Sequence, residues 1–168
     1  MFEKFGEFDS VEELNLAAEG LKKEGDMESI RALAKENGLD PEDAEDYING
    51  MVGELATPLT AALGKLKLEK DELKIQGIME DWYTEVVSGC TTEEKISVAV
   101  RMKNKKLKEV MSLLLAKGFN DKVQVSEQIV SITTINHNGK KEKMRGPIYL
   151  GMPNRTEVKN IVREYYLG

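Results

Sequence analysis

Helix-starting residues recur at short intervals through the first sixty residues of the chain. Ser10 is followed three positions later by Glu13, the spacing of a capping box, in which each side chain satisfies a backbone N–H at the start of a helix. Asp26 precedes a second apolar stripe, and Asp40-Pro41 and Thr57-Pro58 each place a capping residue before a proline, which helices tolerate at their first position. The sequence therefore predicts short, closely spaced helices in this part of the chain.

The second half continues this helical pattern and adds one hairpin. Apolar stripes predict helices over residues 75–88, 91–101 and 105–117, with Gly89 and Gly118 as stops and a capping box at Thr91 and Glu94. The pair Asn138-Gly139 is typical of a two-residue β-hairpin turn, and residues 123–135 fit either a strand or a helix. We predict a mostly α protein (α+β) of seven or eight helices, the last starting at residue 154, with one small C-terminal β-hairpin.

The domain organisation follows the change in composition near residue 71. We predict an acidic helical subdomain over residues 1–70, and a second helical subdomain over residues 71–168 that carries the basic hairpin and the terminal helix. Trp82 and the run Leu113-Leu114-Leu115 lie on helical apolar stripes, which normally face the core, so we predict that they are core residues.

Residue counts exclude several chemistries. A zinc site takes about four Cys, His or carboxylate ligands, and the chain has one cysteine, Cys90, and one histidine, His137. Phosphate-binding glycine loops are absent from the sequence. Cys90 follows a predicted helix end and His137 lies in a predicted turn, which disfavours a nucleophile pair. We therefore predict no enzymatic activity, no cofactor and no metal. A lone cysteine fits a reducing cytoplasmic compartment, and no apolar run approaches the roughly 20 residues of a membrane span.

Charge is distributed unevenly along the chain. Residues 1–60 contain sixteen acids and five bases, a net charge of −11, whereas residues 100–168 contain six acids and fourteen bases, a net charge of +8. Such asymmetry has two interpretations: the protein binds charged partners, or the two ends of the chain attract each other within one fold. The two alternatives differ in whether the charged side chains remain available on the surface.

The acidic extreme is a cluster within seven positions, composed of Asp40, Glu42, Asp43, Glu45 and Asp46. Residues 30–48 resemble a DNA-binding helix-turn-helix, with Ala34, Gly38 and Ala44 at small, turn and buried positions. The second helix of such a motif reads DNA, but here it would present the acidic cluster, which phosphates repel. We therefore predict a helical hairpin that does not read DNA, and assign the acidic cluster to binding a basic protein groove.

The basic extreme comprises two groups, which we predict to contact nucleic acid unless they form only a solvated face. The first group lies at a predicted helix boundary and contains Arg101, Lys103, Lys105 and Lys106; the second follows the hairpin turn and contains Lys140, Lys141, Lys143 and Arg145.

Three stretches of the sequence together resemble a family of small proteins of gut Firmicutes, often encoded near phage or plasmid genes. They are the start MFEKFGEFDS, the segment NGLDPEDAEDYING and the end IVREYYLG, and the closing pattern is also similar to PcfK-like proteins of conjugative elements. The resemblance implies an accessory protein of a mobile genetic element that inhibits a type II CRISPR effector nuclease, an anti-CRISPR protein. The alternative is a DNA-binding protein of phage or plasmid maintenance that acts through the basic half.

Overall fold

The computed structural model describes residues 3–168, and within them the chain forms nine helices and four short strands. The helices are α1 (Val11–Glu24), α2 (Met27–Glu36), α3 (Pro41–Ile48), α4 (Pro58–Leu73), α5 (Ile78–Thr92), α6 (Glu94–Arg101), α7 (Leu107–Asn120), α8 (Glu127–Ile132) and α9 (Arg155–Leu167). The strands are β1 (Val123–Gln124), β2 (Thr134–His137), β3 (Lys140–Lys143) and β4 (Tyr149–Leu150). The prediction of a mostly α protein with a small β part is confirmed. None of the described helices is both long and apolar enough to cross a membrane.

Two apolar clusters form the interior. The N-terminal cluster joins α1, α2, α3 and the start of α4, and the larger C-terminal cluster joins the rest of α4 to α5, α6, α7 and α9. Neighbouring residues of α4 belong to different clusters, because Ala61 packs in the first and Ala62 in the second. Helix α4 therefore connects the two clusters.

The helix starts predicted for the N-terminal half are confirmed. The side chains of Ser10, Asp26 and Thr57 accept hydrogen bonds from backbone N–H groups three residues later, and Gly25 ends α1 in the left-handed conformation. Asp40 precedes the Pro41 start of α3 as predicted, although its side chain makes no capping hydrogen bond. Helices α2 and α3 pack against each other as the predicted helical hairpin.

Two predicted helix ends are wrong, because each glycine lies inside a longer helix. Gly89 is within α5, where a Cβ would lie 3.3 Å from the Ile96 side chain, so glycine allows α6 to pack closely. Gly118 is within α7, where a Cβ would lie 2.8 Å from the Gly151 carbonyl oxygen. The capping box predicted at Thr91 is also wrong, since α5 continues through this residue and α6 begins without a side-chain cap.

The ambiguous region after α7 contains both kinds of element. Strand β1 pairs antiparallel with β4, the short helix α8 follows β1, and β2 pairs antiparallel with β3. The turn between β2 and β3 is Asn138-Gly139, with φ of 52° and 77°, as the two-residue hairpin turn requires. The prediction of a C-terminal hairpin is thus confirmed.

Candidate binding surfaces

The acidic cluster lies on and just before the short helix α3. Asp40, Glu42 and Asp46 are exposed, while Asp43 and Glu45 are half-buried. The Arg31 guanidinium donates two hydrogen bonds to the Glu45 carboxylate, at 2.5 and 3.1 Å, and this contact lowers the pKa of Glu45. Glu45 is therefore already satisfied within the protein, and the acids available to a partner are the exposed three.

The acids of the N-terminal half are not neutralised by the basic half. Among the described residues, a single acid before residue 60, Glu7, pairs with cations beyond it: Lys106 at 2.6 Å and Lys65 at 3.6 Å. The other ion pairs of this half within residues 3–60 are Lys23–Glu19 and Arg31–Glu45. Mutual attraction of the two ends thus uses few charges, and the surface stays strongly segregated.

The first basic group is largely internal, which corrects its predicted contact with nucleic acid. Arg101 is 1% exposed, and its guanidinium donates hydrogen bonds to the Phe8 carbonyl (3.1 Å) and the Asn37 side chain (3.2 Å). Lys105 donates to the Tyr165 carbonyl and Lys106 pairs with Glu7, so Lys103 is the exposed member of this group. We call the N-terminal segment of residues 3–9 the strap. The other cations of the group attach both the strap and helix α9 to the end of α6 and the α6–α7 loop.

Lys65, which no sequence pattern singles out as a site residue, lies at the centre of this internal network. It is 2% exposed and donates hydrogen bonds to the carbonyls of Met102 (2.5 Å) and Lys105 (2.6 Å), which fixes the α6–α7 loop. Burial lowers the pKa of Lys65 to about 8 and raises that of its neighbour Glu69. The one sign in the sequence that Lys65 is buried is its position in the middle of the apolar stripe of α4.

The lowered pKa of Lys65 makes the stability of the fold depend on pH. An unfolded chain keeps the lysine proton to about pH 10.5, so between pH 8 and 10.5 the unfolded state binds more protons and stability rises with pH. We expect the free energy of unfolding to increase by about 1 kcal/mol from pH 8 to 9. Burial raises the pKa of Cys90 to about 11, which opposes this rise above pH 9.

Urea titrations at pH 8 and 9 measure this rise. Lys65→Met should abolish it, whereas Lys67→Met, at an exposed position of the same helix, should preserve it. A rise that persists in Lys65→Met would assign it to another group.

The second basic group lies on the surface. All eight residues of β2 and β3 are exposed, as is Arg145 beyond them. Within residues 3–168, none of Lys140, Lys141, Lys143 and Arg145 lies within 4 Å of an acidic oxygen. The two strands pack mainly against each other, so the hairpin extends from the body with its cations free.

Cys90 and His137 are not brought together. Cys90 is 3% exposed inside the C-terminal cluster, whereas His137 is an exposed residue of the hairpin. No group of three or more His, Cys, Asp or Glu side chains within residues 3–168 is placed to hold a metal ion.

An apolar groove of about 260 Å³ lies between α5, the end of α7 and β4. The core prediction is confirmed for Trp82 and Leu114, but Leu113 is 46% and Leu115 50% exposed. The groove is lined chiefly by apolar and aromatic side chains, namely Ile78, Met79, Trp82, Leu115, Phe119, Tyr149, Leu150 and Met152. Helical periodicity could not reveal it, because these residues come from segments that only the tertiary fold brings together.

Comparisons with protein-family models, with curated proteins and with solved structures find no match. The resemblance to mobile-element proteins therefore stays an expectation from the sequence.

Proposed function

We propose that the protein binds, through the acidic surface of its N-terminal half, a basic nucleic-acid-binding protein, and that it thereby keeps nucleic acid away. The single observation that carries this proposal is that Asp40, just before the short helix α3, and Glu42 and Asp46 on it are exposed and unpaired within residues 3–168. Acids at a helix start gain about 0.3–1 kcal/mol each from the helix dipole, but Asp46 lies beyond the first turn. A cationic partner accounts for the clustering better than helix stability does.

The resemblance supplies the particular target, a type II CRISPR effector nuclease. Such effectors hold the guide–target heteroduplex in a positively charged channel. A surface with a net charge of −11 over residues 1–60 is complementary to a channel of this kind. The proposed activity is therefore inhibition by occupation of the channel, with no catalytic step.

Charge reversal of the three exposed acids tests the proposal. We expect Asp40→Lys, Glu42→Lys and Asp46→Lys together to weaken binding to a guide-loaded type II nuclease at least tenfold, mainly by slowing association, because complementary charge acts chiefly on the on-rate. Glu45 is left unchanged, since it holds Arg31. Binding kinetics at two salt concentrations and a DNA-cleavage assay measure the effect, and a circular dichroism melt checks the fold.

A matched control reverses three acids elsewhere. Asp71, Glu72 and Glu94 are exposed and lie outside the acidic residues 1–60, and their change to lysine alters the net charge equally. This control should bind and inhibit like the unchanged protein. Equal losses of affinity in both variants would mean that net charge, not the acidic cluster, determines binding. An unchanged protein that neither binds nor inhibits the nuclease would contradict the proposal for this target.

A second candidate, DNA binding, is favoured by one specific observation: the exposed hairpin carries three lysines, followed by Arg145, and none of the four has an acidic partner within residues 3–168. Phosphate neutralisation by lysine and arginine supplies most non-specific DNA affinity and weakens steeply with salt. Binding of a mixed-sequence DNA duplex by the full-length protein at about 50 mM salt tests this candidate. A protein that does not bind the duplex under this condition is not a DNA-binding protein of this kind.

A further inference from the structure

The two faces of the β2–β3 hairpin differ in chemistry. Because side chains of directly paired residues lie on the same face, the register Thr134↔Lys143 and Asn136↔Lys141 places these four residues together. We call this set the amide face. The intervening pairs, Ile135↔Glu142 and His137↔Lys140, form the opposite face.

Only the amide face carries a net charge and a full set of hydrogen-bonding side chains. Lys141 and Lys143 give it two cations, and Asn136 and Thr134 add amide and hydroxyl groups. These are the side chains that read base edges, with asparagine pairing to adenine and lysine to guanine. On the opposite face, the Glu142 carboxylate offsets the Lys140 ammonium, and Ile135 offers no polar group.

We propose that the hairpin enters the major groove of duplex DNA with its amide face toward the bases. This inference rests on the second candidate function, DNA binding, and specifies its partner and orientation. The major groove of B-form DNA, about 12 Å wide and 8.5 Å deep, admits a two-stranded β-ribbon. With this face toward the bases the ribbon lies along the groove, where its four-residue strands extend about 14 Å. The deep, narrow major groove of duplex RNA excludes side chains, so the partner is DNA.

Neighbouring residues of β3 provide a matched pair of variants. Lys141→Ala and Lys140→Ala each remove one exposed lysine, one from each face. We expect Lys141→Ala to weaken binding of a labelled mixed-sequence duplex at least fivefold, because its ammonium faces the base edges. Lys140→Ala should change affinity less than twofold, because its side chain lies on the opposite face. Fluorescence anisotropy of the full-length protein measures both.

Sequence reading is tested by selecting duplexes from a random library. Asn136→Ala should lose the preference at one base position by about tenfold, the lower end of the discrimination of a bidentate amide contact, whereas Ile135→Ala should keep it. Circular dichroism of each variant confirms that the fold is retained.

The outcomes distinguish failure of this inference from failure of the DNA-binding function on which it rests. Absence of duplex binding by the unchanged protein overturns both. Duplex binding with equal losses from Lys141→Ala and Lys140→Ala overturns the orientation alone and leaves DNA binding in place. A preference for duplex RNA over duplex DNA, or an absence of any selected base, overturns the major-groove assignment.

Discussion

Gly64→Ala is expected to destabilise the protein by about 3 kcal/mol, although alanine ordinarily favours helices. Gly64 lies inside α4, where the backbone of the α2–α3 turn crosses it. A Cβ at this position would lie 2.3 Å from the Asn37 carbonyl oxygen and 3.1 Å from the Gly38 carbonyl oxygen. Both atoms belong to backbone, so no side-chain rotation relieves the contact, and the α2–α3 hairpin must move away from α4. The free energy of unfolding from urea titration measures this loss.

Gly20→Ala is the matched control for this prediction. Gly20 is an exposed residue inside α1, and a Cβ there would have no neighbour within 4 Å. The same substitution should therefore stabilise the protein by about 0.5–1 kcal/mol, through helix propensity alone. Equal and small effects at both sites would contradict the close crossing of the α2–α3 turn over α4.

Arg101→Ala is expected to cost about 3 kcal/mol, because it breaks a buried, hydrogen-bonded ionic network. The substitution leaves the Phe8 carbonyl and the Asn37 side-chain oxygen without their donor and removes the cation that faces Glu7 and Glu69. Arg101→Met fills most of the same space without replacing the donors, and should cost about 2 kcal/mol. Comparison of the two by thermal and urea unfolding separates the polar part of the loss from the cavity.

Arg163→Ala provides the reference for a surface arginine. Arg163 pairs with Glu93 across α9 and the α5–α6 junction, with its side chain 52% exposed. Exposed ion pairs contribute about 0–1 kcal/mol, so this substitution should have little effect. A loss at Arg101 no larger than that at Arg163 would mean that the strap contributes nothing measurable to the fold.

The sequence was most informative where the relevant contacts are local. Ser10, Asp26 and Thr57 each satisfy an N–H only three residues away, so these helix starts follow directly from residue spacing. The Asn138-Gly139 turn is equally local, because two consecutive residues with positive φ determine it.

Positions determined by distant contacts were not predictable in this way. Gly118 lies where the backbone at Gly151 crosses α7, a contact between residues more than thirty positions apart. Arginine is a residue type usually found on the surface, so nothing in the sequence indicated that Arg101 is buried. Only the fold reveals that its guanidinium donates a hydrogen bond to the Phe8 carbonyl, 93 positions away. The basic groups therefore looked equivalent in the sequence, although one is internal and the other is exposed.

The strap also bears on how the chain folds while it is being synthesised. The N-terminal cluster contains no residue beyond Ala61, so all of its apolar side chains are synthesised before the second half of the chain is made. The start of the strap can dock at that stage, because the Lys4 and Phe5 N–H groups bond to Glu36. The Glu7 carboxylate and the Phe8 carbonyl cannot yet be bonded, because Lys106 and Arg101 have yet to be translated. The nascent protein thus completes one core while these two groups of the strap still face water, and they gain their partners only when α6 and the loop after it emerge.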